Sequence, residues 1–304
     1  MSEIRRLQTF LDFVRLGTIA AVADATQYST SAVSQQLERL ARDVGVELLR
    51  PHGRTLRLTS AGEALAERAP ALLGAWEQLH SDVTAVTNEV RGLVSVAAFQ
   101  SACLALLPPL LSSLRETAPG VRVRCVQAEP DRAITALRSR EIDVAVIERF
   151  AGQSSAPHAD LVETLLGEDE MLLALPAGAD PVRELSQLAA TPWVFEERGG
   201  PERVWAEAMC HAAGFVPQVA HETSDVVMRC SLVAAGEAAT FVPALTPEVL
   251  RLGVECVTVS DGQSRELFAV TRQSSNADLA VQAVVRELRD TLGRLPHERP
   301  VTQR

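Results

Sequence analysis

The stretch from Gly17 to Arg50, GTIAAVADATQYSTSAVSQQLERLARDVGVELLR, holds the residues best suited to act on another molecule. Ser31, Ser34, Gln35 and Glu38 recur at helical spacing on one side of a segment whose other side carries Val33, Leu37, Leu40 and Val44. The apolar set seats a helix on a core. The polar set offers short hydroxyl and amide groups, which let a helix enter a DNA major groove and hydrogen-bond to base edges. Such a helix must be held by a partner. Thr18 and Ser29 are placed to cap two consecutive helices by accepting from first-turn amides. Ala20, Ala21 and Ala23 keep the first helix slim enough to cross the second closely around Gln27 and Tyr28, and Gly45 ends the second. The competing interpretation is a small helical subdomain with a solvated face.

Immediately downstream, LLRPHGRTLRLTSAG places Arg50, His52, Arg54 and Arg57 about a turn at Gly53, suited to phosphate or minor-groove contact or simply a solvated basic loop. Overall charge argues against indiscriminate nucleic-acid binding, since 29 basic residues face 39 acidic ones. Residues 1–60, however, carry +2 and the remainder −12. DNA affinity must therefore come from a focused basic patch used in several copies.

The order Leu7, Phe10, Gly17-Thr18-Ile19, Ala23, Ser29, Ala32-Val33-Ser34, Leu37, Leu40, Gly45, Leu48, Arg57-Leu58-Thr59 and Ala61-Gly62 resembles the LysR-type transcriptional regulators without a gap from Ile4 to Glu63. Thr26, Thr30, Ala41 and Leu49 depart from residues common in that family. Thr30 lies at the entrance of the reading helix, so base preference there does not carry over from relatives. The resemblance implies a double-stranded DNA operator and a small-molecule effector as partners. It makes Ser29, Thr30, Ser31, Ser34, Gln35, Arg39, Arg50, His52 and Arg54 the DNA-contacting candidates.

From Thr59 to about Val90, Leu65, Ala69, Leu72, Trp76, Leu79, Val83, Val86 and Val90 alternate steps of four and three, a seam that demands a partner helix. Between a DNA-reading head and a separate domain, a second copy of the same helix is the expected partner, and packing on its own body is the alternative. Pro70 is expected to kink the helix near its start. The resemblance implies an antiparallel dimer, or a tetramer of four chains. Leu65, Leu72, Trp76, Leu79, Val83 and Val86 are the dimerisation candidates.

Beyond Arg91-Gly92 the pattern alternates strand and helix. GLVSVAAF, VRVRCVQA and IDVAVIE read as strands, with helices at Cys103 to Thr117 and Asp131 to Arg140. EMLLALP, TPWVF, a helix at Val204 to Ala213, an extended stretch near Val219, a helix at Asp225 to Ala235 and ATFVP follow. LFAVTR and a final amphipathic helix close the chain. The expected fold class is α/β with an N-terminal all-α winged helix-turn-helix. The resemblance implies a two-lobed C-terminal effector domain like a periplasmic binding protein, with crossovers near Leu161 to Leu166 and Ser264 to Leu267. The expected boundaries are 1–60 for the head, 61–90 for the linker helix, and 91–304 for the effector domain. Within the last, lobe one takes about 91–163 plus 267–293, lobe two about 164–266, and 294–304 is a flexible tail.

Strand ends and helix N-termini in such a cleft expose amides to a ligand. The effector-binding candidates are Phe99, Gln100, Ser101, Gln127, Glu129 and Glu148 from one lobe, with Phe195, Thr223, Ser224, Phe241 and Pro243 from the other. Glu129, Glu148, Glu196 and Glu197 would make the cleft acidic and suit a polar or cationic effector, unless they are solvated loop residues. Glu237 is a further departure from the family.

No nucleophile elbow, HExxH, phosphate loop or GxGxxG after a strand is present, and neither the six His nor the five Cys have metal-ligand spacing. The expectation is a non-enzyme without cofactor or metal. One alternative is a redox regulator, in which Cys103 has a lowered pKa at a helix N-terminus or Cys210 and Cys230 oxidise. An enzyme fused to a DNA head is the other. No run approaches 18 apolar residues and no signal-peptide core precedes the first helix, so the expected location is cytoplasmic, without membrane association.

Overall fold

The computed structural model describes residues 3–26, 28–53, 55–87, 90–153, 160–258 and 263–295. It divides into two compact units, Met1–Thr87 and Asn88–Arg304.

The first unit opens with α1 (Glu3–Leu16), α2 (Ile19–Thr26) and α3 (Thr30–Val44). Phe10, Phe13, Val22, Val33, Leu37 and Leu40 bury together between them, each such side chain worth about 1.5–3 kcal/mol on removal from water. Ser29 caps α3 by accepting from the Ala32 amide at 3.1 Å, and Gly45 ends it in the left-handed conformation (φ 80°) that glycine adopts without steric cost. The Thr18 hydroxyl accepts from the Ala21 amide at 3.1 Å. Val44, expected on the core face, is exposed, because the last turn of α3 overruns the core. A hairpin of β1 (Leu49–His52) and β2 (Thr55–Leu58) forms the wing, so the head is not purely helical. Then comes α4 (Ser60–Thr87), 28 residues with Pro70 inside it and spanning about 42 Å at 1.5 Å per residue.

The second unit carries β3 (Arg91–Ala98), α5 (Gln100–Ala105), α6 (Leu107–Thr117), β4 (Gly120–Gln127), α7 (Pro130–Arg138) and β5 (Val144–Phe150). The helix expected from Cys103 to Thr117 is two helices meeting at Leu106. Pro108 and Pro109 fit the start of the second, where a missing amide hydrogen costs nothing. Next come β6 (Leu161–Pro176), β7 (Pro192–Phe195), α8 (Pro201–Ala212), β8 (Gln218–Glu222), α9 (Val226–Ala234), β9 (Thr240–Pro243), β10 (Val254–Thr258), β11 (Ser264–Arg272) and α10 (Leu279–Arg294). The helix α10 runs through Arg294, where a flexible tail was expected to begin; 296–304 lie outside the described residues.

The β-strands run in the order β10-β6-β11-β5-β3-β4, with β9 also paired to β6; β3 is parallel to β4 and β5, and β11 antiparallel to β5 and β6. Residues 161–170 of β6 pair with β11, while Met171–Pro176 pair with β9 and β10. One unbroken strand thus passes from lobe one to lobe two, and the pairing changes several residues later than the crossover expected near Leu161 to Leu166. β10, unread in the sequence, pairs with this second half. Separate apolar clusters line the lobes, one around Val94, Leu110, Leu267 and Leu288, another around Trp193, Phe195, Trp205 and Phe241.

Candidate functional site

In the head, Thr30, Ser31, Gln35 and Arg39 are exposed along α3 and Ser34 is half-buried, its hydroxyl donating to Glu38 at 3.2 Å. Ser29 and Ser31 share a hydrogen bond at 3.0 Å, which ties the cap to the first turn of the reading face. Behind that face Gln36 is buried and accepts from the Thr9 hydroxyl at 2.7 Å, locking α3 to α1. Arg50, His52 and Arg57 are exposed on the hairpin, while Arg54 lies outside the described residues. A groove of about 860 Å³ separates α3 from the hairpin, lined by Ser34, Glu38 and Arg42 on one side and Pro51 and Leu56 on the other. The arrangement leaves the polar helix face and the basic hairpin open to a duplex.

Along α4, Leu72, Trp76, Leu79 and Val83 are 57, 48, 54 and 59% exposed, a row of large apolar side chains facing water within this chain. Leu65 instead packs against the head's own core beside the buried Ala69 and Leu73. The open stripe therefore begins at Leu72, one heptad later than the sequence seam. The Val86 side chain lies outside the described residues.

In the second unit, a cleft between the lobes is lined by Phe99, Gln100, Ser101, Glu129, Glu148, Ser224 and Pro243, all expected from the sequence. Glu196, Glu202, Val226, Arg229 and Arg265 complete it. Arg265 is the central post. Its guanidinium donates to Ser101 Oγ at 2.7 Å, to Asp169 at 2.7 and 2.9 Å and to Glu148, and it stacks on Phe99 at 4.8 Å. Arg229, equally buried, forks onto Glu202. Gln100 bridges the lobes, donating to Asp225 at 3.0 Å and accepting from the Val226 amide at 2.8 Å. The space left in the cleft is about 20 Å³, room for roughly one water.

Gln127, Phe195, Thr223 and Phe241 are not brought to this cleft. Gln127 is exposed at the end of β4, and Phe195 and Phe241 are buried in the aromatic core of lobe two. The Thr223 hydroxyl is occupied in accepting from the Asp225 amide at 3.1 Å. Strand ends supply core residues as often as ligand contacts, and the sequence does not distinguish them. Arg229, Glu202 and Arg265 were missed: Arg229 lies inside the helix read from Asp225 to Ala235, Glu202 just before the helix read from Val204, and Arg265 in the stretch read as a crossover.

Electrostatics sets the cleft apart. Burial pushes Glu148 up to about 7 despite the pull of Arg265, and Glu196, with the Glu202 charge adding to burial, up to about 8. Burial, reinforced by Glu202, also raises Glu129. Four carboxylates face two guanidiniums that are already paired. The cysteines behave oppositely to a redox centre: burial pushes Cys103 up to about 11, Cys210 to about 12 and Cys230 to about 11. The lowered pKa expected for Cys103 is thus reversed, because burial, with Cys125 and Glu129 adding to it, outweighs the hydrogen bond to the Ala98 carbonyl. Cys210 and Cys230 sit in different apolar clusters, so their pairing as a redox couple has no support. Among the described residues no group of three His, Cys, Asp or Glu side chains is placed to hold a metal ion, and no helix is long and apolar enough to cross a membrane.

A helix-turn-helix head with a basic hairpin, followed by a two-lobed ligand-binding domain, defines a one-component transcriptional regulator. Residues 4–63 match the family described as bacterial regulatory helix-turn-helix protein, lysR family, and residues 87–293 match the LysR substrate binding domain. The chain belongs to the LysR family of DNA-binding transcriptional regulators. It is 28% identical over 255 residues, 80% of this chain and 81% of the relative, to the "Probable HTH-type transcriptional regulator LrrA" of Synechococcus elongatus. Its fold is similar to HinK, a LysR family transcriptional regulator from Pseudomonas aeruginosa, at TM-score 0.60 and 19% identity, covering 96% of this chain and 99% of that one. It is also similar to full-length CbnR complexed with its target DNA, at TM-score 0.59 and 22% identity, covering 96% and 100%.

Proposed function

We propose that this regulator acts in the cytoplasm as a homodimer or higher oligomer, reads its operator through α3 and the hairpin, and responds to a small effector that carries positive charge. The cleft charge carries this reading. Glu129, Glu148, Glu196 and Glu202 surround the space between the lobes, and Arg229 and Arg265 already serve Glu202, Glu148 and Asp169. A carboxylate effector entering there would meet repulsion, whereas an ammonium or amidinium group would find acceptors. The cleft suits binding: Glu148 and Glu202 are tied to guanidiniums, Glu129 and Glu196 are left as acceptors, and no activated nucleophile stands beside them.

The small free volume means that an effector must part the lobes. Competition for Gln100, whose amide bridges Asp225 and the Val226 amide, supplies the differential affinity for two lobe arrangements that a ligand needs to shift a conformational equilibrium. The exposed row from Leu72 to Val83 supports helix pairing between two copies, which would set two heads on two half-sites.

Calorimetric titration of the full chain with small amines and the matching carboxylates tests the effector class. Amines are expected to bind, and to bind more tightly as pH rises through about 8 and Glu196 loses its proton, a rise that Glu196→Gln removes. Binding of the carboxylates alone would overturn the assignment.

A further inference from the structure

Two adjacent glycines, Gly199 and Gly200, stand between β7 and α8, and they are glycines for different reasons. Gly199 holds a φ of 89°, in the left-handed region, with nothing near the place a Cβ would take, so its backbone alone calls for glycine. Gly200 has a φ of −63° and a ψ of 144°, which any residue adopts. What glycine supplies there is space. A Cβ at Gly200 would stand 2.7 Å from Glu196 Oε2, closer than such atoms approach, and 3.3 Å from the Glu197 carbonyl oxygen.

The backbone around this contact is pinned. The Glu196 carbonyl accepts from the buried Arg203 at 2.9 Å, and the Gly200 amide donates to the Glu197 carbonyl at 3.2 Å. The Gly200 carbonyl accepts from the Val204 amide at 3.1 Å in the first turn of α8. The Glu196 side chain is the movable partner, so a side chain at position 200 displaces the carboxyl and leaves the loop in place. That carboxyl lines the cleft together with Glu202 of α8, Arg229 of α9, Glu148 of β5, Glu129 ahead of α7 and Arg265 of β11. Glu148 and Glu202 are engaged by guanidiniums, which leaves Glu196 among the acceptors open to a cation.

We propose that Gly200 is a positioning residue of the effector cleft: its missing side chain is the seat of the Glu196 carboxyl, and a Cβ there turns that carboxyl out of the cleft and weakens the preference for a cation. The preference rests on reading the cleft as a site for cationic effectors; the seat does not. The competing role, N-cap of α8, predicts the opposite for serine. Gly200 gives α8 no side-chain cap, and serine caps a helix better than glycine, alanine worse. A capping role is improved by Gly200→Ser and impaired by Gly200→Ala, whereas both variants carry the Cβ that unseats Glu196.

The test uses the full chain and its Gly200→Ala, Gly200→Ser, Glu196→Gln and combined Gly200→Ala and Glu196→Gln variants. Unfolding midpoints are measured from pH 5 to 9, and butylammonium chloride is titrated by calorimetry at pH 6 and 9. Burial, with Glu202 adding to it, holds the seated Glu196 up to about 8, so a carboxyl turned toward water falls back to its ordinary range. Both Gly200 variants are expected to lose the same part of the dependence of stability on pH that Glu196→Gln loses, and the combined variant to lose no more. Butylammonium affinity at pH 9 is expected to fall about tenfold in both, the worth of one charge-assisted contact, with little change at pH 6, where the seated carboxyl is protonated. A wild-type slope in Gly200→Ala, its recovery in Gly200→Ser, or further flattening in the combined variant would overturn the seat. If the wild type fails to bind butylammonium while both Gly200 variants still lose the slope, the cationic-effector reading falls and the seat stands.

Discussion

Single side chains divide here into those proposed to read, those that hold the fold and those proposed to sense. Gln35 is exposed on the reading face, whereas Arg50 is exposed on the hairpin. If the first contacts bases and the second phosphate, Gln35→Ala costs roughly 1–3 kcal/mol on the operator and relaxes base preference, while Arg50→Ala weakens operator and random DNA alike. Competition binding across operator variants separates the two, and uniform losses for both would refute the assignment. In the cleft, Glu196 is lifted to about 8 by burial and by Glu202, with Arg229 opposing and Glu148 and Glu129 adding. An unfolded Glu titrates near about 4.3, so the native state holds a proton that the unfolded state has released between the two values. Stability therefore falls as pH rises through that window, and the neutral Glu196→Gln should flatten the slope. Unfolding midpoints measured from pH 5 to 9 check this; a variant with an unchanged slope would place the linkage elsewhere.

Elements were legible where periodicity and caps agreed, and less so where burial was decided by tertiary neighbours. Ser29, Gly45 and the Val33-Leu37-Leu40 row marked α3, because caps and apolar spacing are local properties. The α5–α6 break at Leu106 was hidden, since Pro108-Pro109 suits a helix start as well as an interruption. Only EMLLALP, the second half of β6, reads as a strand in sequence and the first half as a crossover, because its neighbours change along its length, which a linear pattern does not encode. The same limit applied to the cleft: Ser101, Glu129 and Glu148 followed from strand ends, whereas Arg265 and Arg229 are buried charges that only their partners explain. Two predictions belong to α4. A Cβ at Gly62 would collide with the Leu48 carbonyl, so Gly62→Ala should destabilise by roughly 1–3 kcal/mol despite alanine's better helix propensity; denaturant unfolding checks it, and a neutral or stabilising result would contradict the packing. Leu72→Asp combined with Leu79→Asp sets charges into the exposed row and should convert oligomer to monomer in sedimentation, with operator affinity falling although no DNA-facing residue changes. An intact oligomer would remove α4 as the dimerisation element.

The whole molecule joins a slightly basic head to a strongly acidic ligand-binding domain, a charge balance that favours sequence-specific contact through paired heads. A ligand alters DNA binding only by favouring one lobe arrangement, and couplings of about 1–3 kcal/mol are typical. The most direct measurement is operator affinity of the full chain, by fluorescence anisotropy at fixed salt and pH, with and without an amine that calorimetry shows to bind. It is made on the wild type and on Ser101→Leu, which fills the cleft beside Arg265. The account predicts a wild-type affinity or footprint change of about 5- to 150-fold coupling that disappears in Ser101→Leu while basal operator binding persists. An amine response undiminished in Ser101→Leu, or a response to carboxylates alone, would contradict a cationic effector acting through the cleft.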